Sequence, residues 1–447
     1  MSETFFPHVT ELASYVVTAG KSAPLKSARD AALQCVFDLI IAAAVGTKDV
    51  GPTAIRTVSS TIFGPGEVAI WFTGQTSSVI GAAWANASSS AALDLDDGNR
   101  FARGHPGAAI IPVAFAVGLE VEATFEQILN SIVVGYEVGV AVGSARTTYG
   151  SSGTWTAYGV VATAAVLRST PLEQIEHAFA IAGESAPIQA FAGGPSPRVP
   201  APEGAAVKEG IPWSVVTGLT ALYMAEAGHT GPRNILESAR HYTFPKKLAL
   251  GEALHICQTY FKPYACCRHI HAPLEALRQL LMQHNIKATE IDSIEVRIHG
   301  DGMRISNRPR PGNLIDVQYS IPYCLAAAAL HGFEVLTPVT FHTIKLEGAK
   351  ELAARVSLFL DEQLHNLYPK KILAQVTVVC GDKRYESKPT APKGEPLMKW
   401  DELEQKFRSA TRFVGDEEWQ DTLIAAIHDT RRGSFRQLQN CLAATNL

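Results

Sequence analysis

The sequence predicts a mainly α-helical protein with an α+β region late in the chain. Three observations carry this. Apolar residues recur at helical spacing over most of 8–183 and again over 214–228. From about residue 286 the period changes: 294–299 (IEVRIH) alternates, and 374–380 (AQVTVVC) is rich in β-branched side chains. Helical spacing then returns over 401–411 and 417–427.

Residues 8–46 read as two helices parted by a break at 20–24, followed by a helix over 51–61 and a short extended piece at 67–72. Alanine and serine crowd 75–93, which suits a helix packed closely on its neighbours. The series continues through 108–119 and 125–143. In the latter, Gly135, Gly139 and Gly143 share one face and let another helix approach at the backbone. Their G-x-x-x-G spacing, with no strand before it, is not a dinucleotide fingerprint. Helices follow over 157–167 and 172–183. Six prolines then fall within 187–212, around GGPSPRVPAPEG, and predict a long irregular segment of the kind that forms lids or stays disordered. Lys208 stands at its far end. In the α+β region, 323–330 and 350–354 read as helical.

Charged residues make up 18% of the 447 and hydrophobic ones 47%. The charged share is below the roughly 25% usual for soluble domains, which predicts a large interior or a sizeable subunit interface. The net charge of −4 comes without a basic block, so nucleic acid is not expected as a partner. Seven scattered cysteines without a C-x-x-C pair predict reduced thiols and a cytoplasmic setting. With no signal-peptide pattern and no run of about 18 uncharged apolar residues, no membrane association is expected.

The stretch 94–116, DLDDGNRFARGHPGAAIIPVAFA, concentrates chemistry. Asp94, Asp96, Asp97, Arg100, Arg103 and His105 fall within twelve residues. Pro106 suits a first helical position, which would place His105 at a helix N-terminus. The dipole there favours an anion and a neutral imidazole able to accept a proton. Such a site could bind a carboxylate and deprotonate it; the alternative is a solvated surface turn. Asp96 and Asp97 read as capping or solvating the turn, and Asp94 as orienting His105 or another ligand. D-L-D-D lacks the spaced ligands of a dedicated Mg²⁺ loop. Cys266, Cys267, His269 and His271 fit poorly round one tetrahedral zinc. No metal is therefore expected. Arg268 and Lys262 read as carboxylate-binding cations, with Arg103 and His269 as further binding groups.

Several pieces resemble the MmgE/PrpD family over nearly the whole chain. They are D-L-D-D at 94–97 with H-P-G at 105–107, G-Y-E-V-G from Gly135, and Lys208 before a helix ending G-H-T-G-P. F-K-P-Y-A-C-C-R-H-I-H follows from Phe261, then Q-Y-S-I-P-Y at 318–323, and P-K-G-E-P ahead of Lys406-Phe407. The resemblance implies a large all-α domain, 1–265 completed by 405–447, with a smaller α+β domain, 266–404, inserted. It implies a homodimer without a cofactor, its active site in the cleft, acting on a small di- or tricarboxylate. Carried over residue by residue, the active-site aspartate is Asp94, the histidine His105, the lysines Lys208 and Lys262, and the tyrosine Tyr323.

Proton removal next to a carboxylate needs a base near the carbon and cations to stabilise the enolate. His105 and Lys208 are the expected acid–base partners. Tyr149-Gly150-Ser151 stands where many members have an aromatic-His-Pro motif, Gly98 where a threonine often stands, and Trp213 where a small residue is usual. Loss of that second histidine points to an epimerase of the iminodisuccinate type. A hydro-lyase of the 2-methylcitrate dehydratase type, or a non-catalytic dimeric relative, remains open.

Overall fold

The computed structural model describes residues 7–148, 150–187, 203–252 and 254–445. Its first part is helical: α1 (Pro7–Ala19), α2 (Lys26–Gly46) and α3 (Val50–Phe63), then a two-stranded antiparallel ribbon of β1 (Val68–Ile70) and β2 (Gln75–Ser77). The helix expected over 75–93 starts later than its composition suggests, because 75–77 pairs with β1 and Ser78 caps α4 (Val79–Ala91) by accepting from Gly81 N–H. Next come α5 (Gly107–Glu120), α6 (Phe125–Ala145), α7 (Gly153–Arg168), α8 (Leu172–Glu184) and α9 (Ile211–Glu226). Most of the Pro-rich segment lies outside the described residues.

The glycine face of α6 meets α7 closely. A β-carbon at Gly135 would lie 2.0 Å from Thr163 Oγ1, and one at Gly139 3.3 Å from the Gly159 Cα. By length and composition α6 could cross a bilayer, yet 94% of its apolar window is buried inside the protein, as befits a core helix. A Thr124–Gln127 capping box sets its start.

The later part holds α10 (Arg268–His284), β3 (Ser293–Ile298), α11 (Gly300–Arg304), α12 (Leu314–Gln318), α13 (Ile321–His331), α14 (Ala349–Ala353), β4 (Val356–Leu360) and α15 (Glu362–Leu367). Strands β5 (Ala374–Cys380) and β6 (Lys383–Glu386) complete a sheet of order β4-β3-β5-β6, with β3 parallel to β4 and antiparallel to β5. Helix α10 packs against β5.

The last helices, α16 (Trp400–Thr411), α17 (Glu417–Arg431) and α18 (Arg436–Ala443), return to the first ones. Phe407 meets Phe37 of α2 at 5.7 Å, Phe435 stacks on Phe125 at 4.4 Å, and Phe72 N–H donates to the Leu442 carbonyl. One apolar core runs from Val9 to Leu442 through both the helical part and the sheet.

Candidate active site

The 94–105 stretch is a buried turn. Asp94, Asp96 and Asp97 are each at most 2% exposed and His105 is 8% exposed, which rules out a solvated surface loop. The turn is shaped by Asn99, which bridges to Gly104 and accepts from the N–H groups of Phe101 and Ala102. Asp97 caps α5: it accepts from Gly107 N–H at 3.0 Å and from the Tyr136 hydroxyl at 2.6 Å. Burial raises its pKa to about 7. Asp96 does not cap or solvate the turn as its position suggested. It lies 3.3 Å from His105 Nδ1 and 3.8 Å from Lys262 Nζ.

Asp94 is the hub. Its carboxylate is 3.3 Å from Lys262 Nζ, 3.4 Å from Lys208 Nζ and 3.8 Å from His105 Nε2. Burial alone would raise its pKa, but Lys262, Lys208 and His105 outweigh burial and hold it well below the usual carboxylate range. Asp96 is also lowered, chiefly by His105 and then Lys262 acting against burial. Three cations therefore face two carboxylates, a surplus of one positive charge that suits an anionic ligand.

The neutral imidazole expected at position 105 is not what the surroundings select. Its Nδ1 is 2.9 Å from the Asp97 carbonyl oxygen, so that nitrogen donates, and Nε2 faces Asp94. Burial and Lys262 push its pKa down, but Asp96 and Asp94 prevail and raise it to about 9. Two carboxylates within 4 Å outweigh a helix dipole of about half a charge. His105 is an acid here. His269 is the opposite case: burial lowers its pKa to about 4, its Nδ1 contacts His299 Nε2 at 3.1 Å, and Tyr368 packs edge-on against His299.

Lys208 reaches the cluster from a strained backbone. Lys208, Glu209 and Gly210 are consecutive left-handed residues (φ 46°, 57° and 70°) just before α9, and Asp94 (φ 55°) and Arg103 (φ 54°) are left-handed too. Such conformations cost about 1–3 kcal/mol each and concentrate at functional sites. Lys208 Nζ donates to Gln318 Oε1 at 2.7 Å, and Gln318 in turn donates to the Ala92 carbonyl. Glu209 accepts from Ser152 and from the Tyr319 hydroxyl, while Ser152 Oγ accepts from His105 N–H. Ser152, next to the departing Tyr149-Gly150-Ser151 segment, thus steadies the His105 backbone.

Other expected site residues are placed elsewhere. Tyr323 is buried and its hydroxyl donates to the Thr343 carbonyl; Tyr319, at the end of α12, has Lys208 Nζ 5.2 Å from its ring centre. Arg268 is committed to the Lys393 carbonyl, to Glu395 and to the face of Tyr260 at 4.1 Å, so it does not present a carboxylate clamp. Arg103 donates to the Arg146 carbonyl. Trp213 does not shape the cluster: it leans on Trp84 and is half exposed. The Cys266–His271 run disperses, with His271 on the Cys266 carbonyl and His269 on His299. Asp94, Asp96 and His105 are close enough to share an ion, but the Lys262 ammonium already lies among them.

Gly98 follows from Tyr260. The two residues form an antiparallel bridge, and a β-carbon at 98 would lie 2.3 Å from the Tyr260 hydroxyl and 2.4 Å from Cζ. Introducing threonine by Gly98→Thr is expected to destabilise the protein by about 1–3 kcal/mol through overpacking. Thermal melts check this, and an unchanged midpoint refutes it.

Residues 10–248 match the MmgE/PrpD N-terminal domain and residues 264–430 the MmgE/PrpD C-terminal domain. No curated protein matches the chain in a sequence comparison. With the two domains covering most of its length in order, the chain belongs to the MmgE/PrpD family.

Proposed function

We propose that this protein is a cofactor-independent enzyme that moves a proton at the carbon α to a carboxylate of a small di- or tricarboxylate, with epimerisation as the outcome. The observation that carries this reading is the buried cluster in which His105, Lys208 and Lys262 face Asp94 and Asp96, with cationic groups in excess where a carboxylate can bind. His105 and Lys208 are the groups that exchange the proton, and Lys262 stabilises the enolate charge. Iminodisuccinate is the type of substrate we favour, because no histidine occupies 149–151 to assist a departing hydroxyl. Dehydration is the second reading, favoured by the protonated state of His105, an acid suited to a leaving hydroxyl.

A panel of small di- and tricarboxylates in deuterium oxide tests both. Deuterium entering at Cα with inversion is expected. New double-bond absorbance instead overturns epimerisation in favour of a lyase, and neither signal overturns enzymatic proton transfer altogether.

We also read 266–404 as an α+β unit inserted into the helical one, and the protein as a homodimer. Supporting the dimer, Ile62 and Val58 of α3 are exposed together with Val207 and Trp213, and Trp213 connects through Trp84 to Phe63. Sedimentation at twice 48.0 kDa is expected. A 48.0 kDa species at micromolar concentration refutes it.

A further inference from the structure

Behind the cluster lies a second buried ion pair, between Lys406 of α16 and Asp38 of α2, with side chains 3% and 0% exposed. Lys406 Nζ is 2.5 Å from Asp38 Oδ1 and donates at 3.0 Å to the Leu95 carbonyl oxygen. Leu95 is the residue between Asp94 and Asp96. The pair leaves Asp38 Oδ2 without a hydrogen-bond partner, and Lys406 also grips the backbone of the turn that carries both site carboxylates.

That grip matters because the turn is strained. Asp94 is a left-handed non-glycine residue, a state that persists only where the surroundings over-determine it. The bond from Gln318 to the Ala92 carbonyl ties the turn on one side, and Lys406 ties it at Leu95. Lys406 hydrogen-bonds to none of His105, Lys208 and Lys262; besides its charge, which Asp96 and Lys262 feel, its direct hold on the site is the Leu95 carbonyl.

We infer that Lys406 is a positioning residue: from the far end of the chain it fixes the Leu95 carbonyl and so aims Asp94 and Asp96 at His105, Lys208 and Lys262, while Asp38 holds Lys406 in place. The consequence for turnover rests on the function proposed above; the consequence for the cluster does not.

The test is the double variant Asp38→Asn, Lys406→Met. It removes both charges together, leaving no lone buried ion and nearly the same net field at the site. The His105 titration is followed by NMR on histidine-labelled protein. Its midpoint is expected to fall by about one unit or more, as carboxylates that hold its proton turn away. Turnover should fall about 10–100-fold, the usual loss when a supporting residue goes, with KM little changed. An unchanged His105 midpoint in the folded double variant overturns the inference. If the midpoint shifts while the wild-type protein exchanges no proton into any carboxylate, the positioning role stands and the proposed function fails. Should the double variant not fold, Lys406→Arg replaces it, keeping the charge beside Asp38 while moving the donor off the Leu95 carbonyl. The same shift is expected, and no shift overturns the inference.

Discussion

Replacing Lys262 by methionine is expected to abolish measurable turnover and to cost about 3–5 kcal/mol of stability, the usual loss when one partner of a buried ion pair is removed. Lys262 is fully buried, 3.3 Å from Asp94 and 3.8 Å from Asp96. Without it, two neighbouring buried carboxylates keep only His105 and Lys208 between them, and no water shell replaces the ammonium. Urea unfolding measures the loss, as a lower midpoint at unchanged slope. The pH dependence adds a sign. Asp94 and Asp96 have folded pKa values depressed below their unfolded ones, so the stability they contribute is present above the unfolded value and disappears as pH falls. The deficit of Lys262→Met should therefore be largest near neutrality and shrink in acid. A loss below about 1 kcal/mol at pH 7 refutes this account of the cluster.

The second large effect concerns His105. His105→Gln should lower turnover by about 10²–10⁴, the range for a positioned general acid. In the wild-type protein the rate should fall as pH rises through about 9, where the imidazole loses its proton. The variant's residual rate should lack that limb. Stability carries the same signature. The folded pKa lies above the unfolded value near 6.5, so the contribution is complete below 6.5 and is lost as pH rises through about 9. The gap in melting temperature between wild type and variant should close over that window. A high-pH limb that survives in the variant would assign the acid to another group.

Much of this was legible in the sequence, and the failures have physical reasons. Helical periodicity located α17, which lays one apolar face on the core, and long apolar runs located α2, α5 and α6, which are buried nearly all round. Periodicity missed β4, an edge strand with no fully buried residue, whose VSLFL run places Phe359 and Leu360 both in solvent. In the site, Asp94 and His105 announced themselves by the density of charge around them, and Lys262 by its neighbours. The protonation of His105 was misread because a helix N-terminus is visible in sequence, whereas the approach of Asp96 Oδ2 to 3.3 Å is a matter of turn geometry. Gln318 carries no charge and stood out only as the first residue of the Q-Y-S-I-P-Y piece, although it ties Lys208 to the Ala92 carbonyl. Tyr319 ends α12 and Tyr323 lies in the first turn of α13, and only the packing of the two helices decides which ring faces Lys208. The Asp38–Lys406 pair joins residues 368 apart, beyond any local pattern.

The cluster draws on positions scattered along the chain. Lys208 is 114 residues from Asp94 and 110 from Gln318, and Lys262 is 157 from His105. Contacts so distant in sequence form only after long loops have closed, and loop closure is an entropic cost met late in folding. Individual helices can form early from local contacts, but the arrangement of three cations around two carboxylates cannot. Nor does any fragment short of the span 94–262 contain it. Competence in this protein is thus a property acquired at the end of folding: an ensemble rich in helix, and even compact, holds none of the chemistry until the two halves have docked.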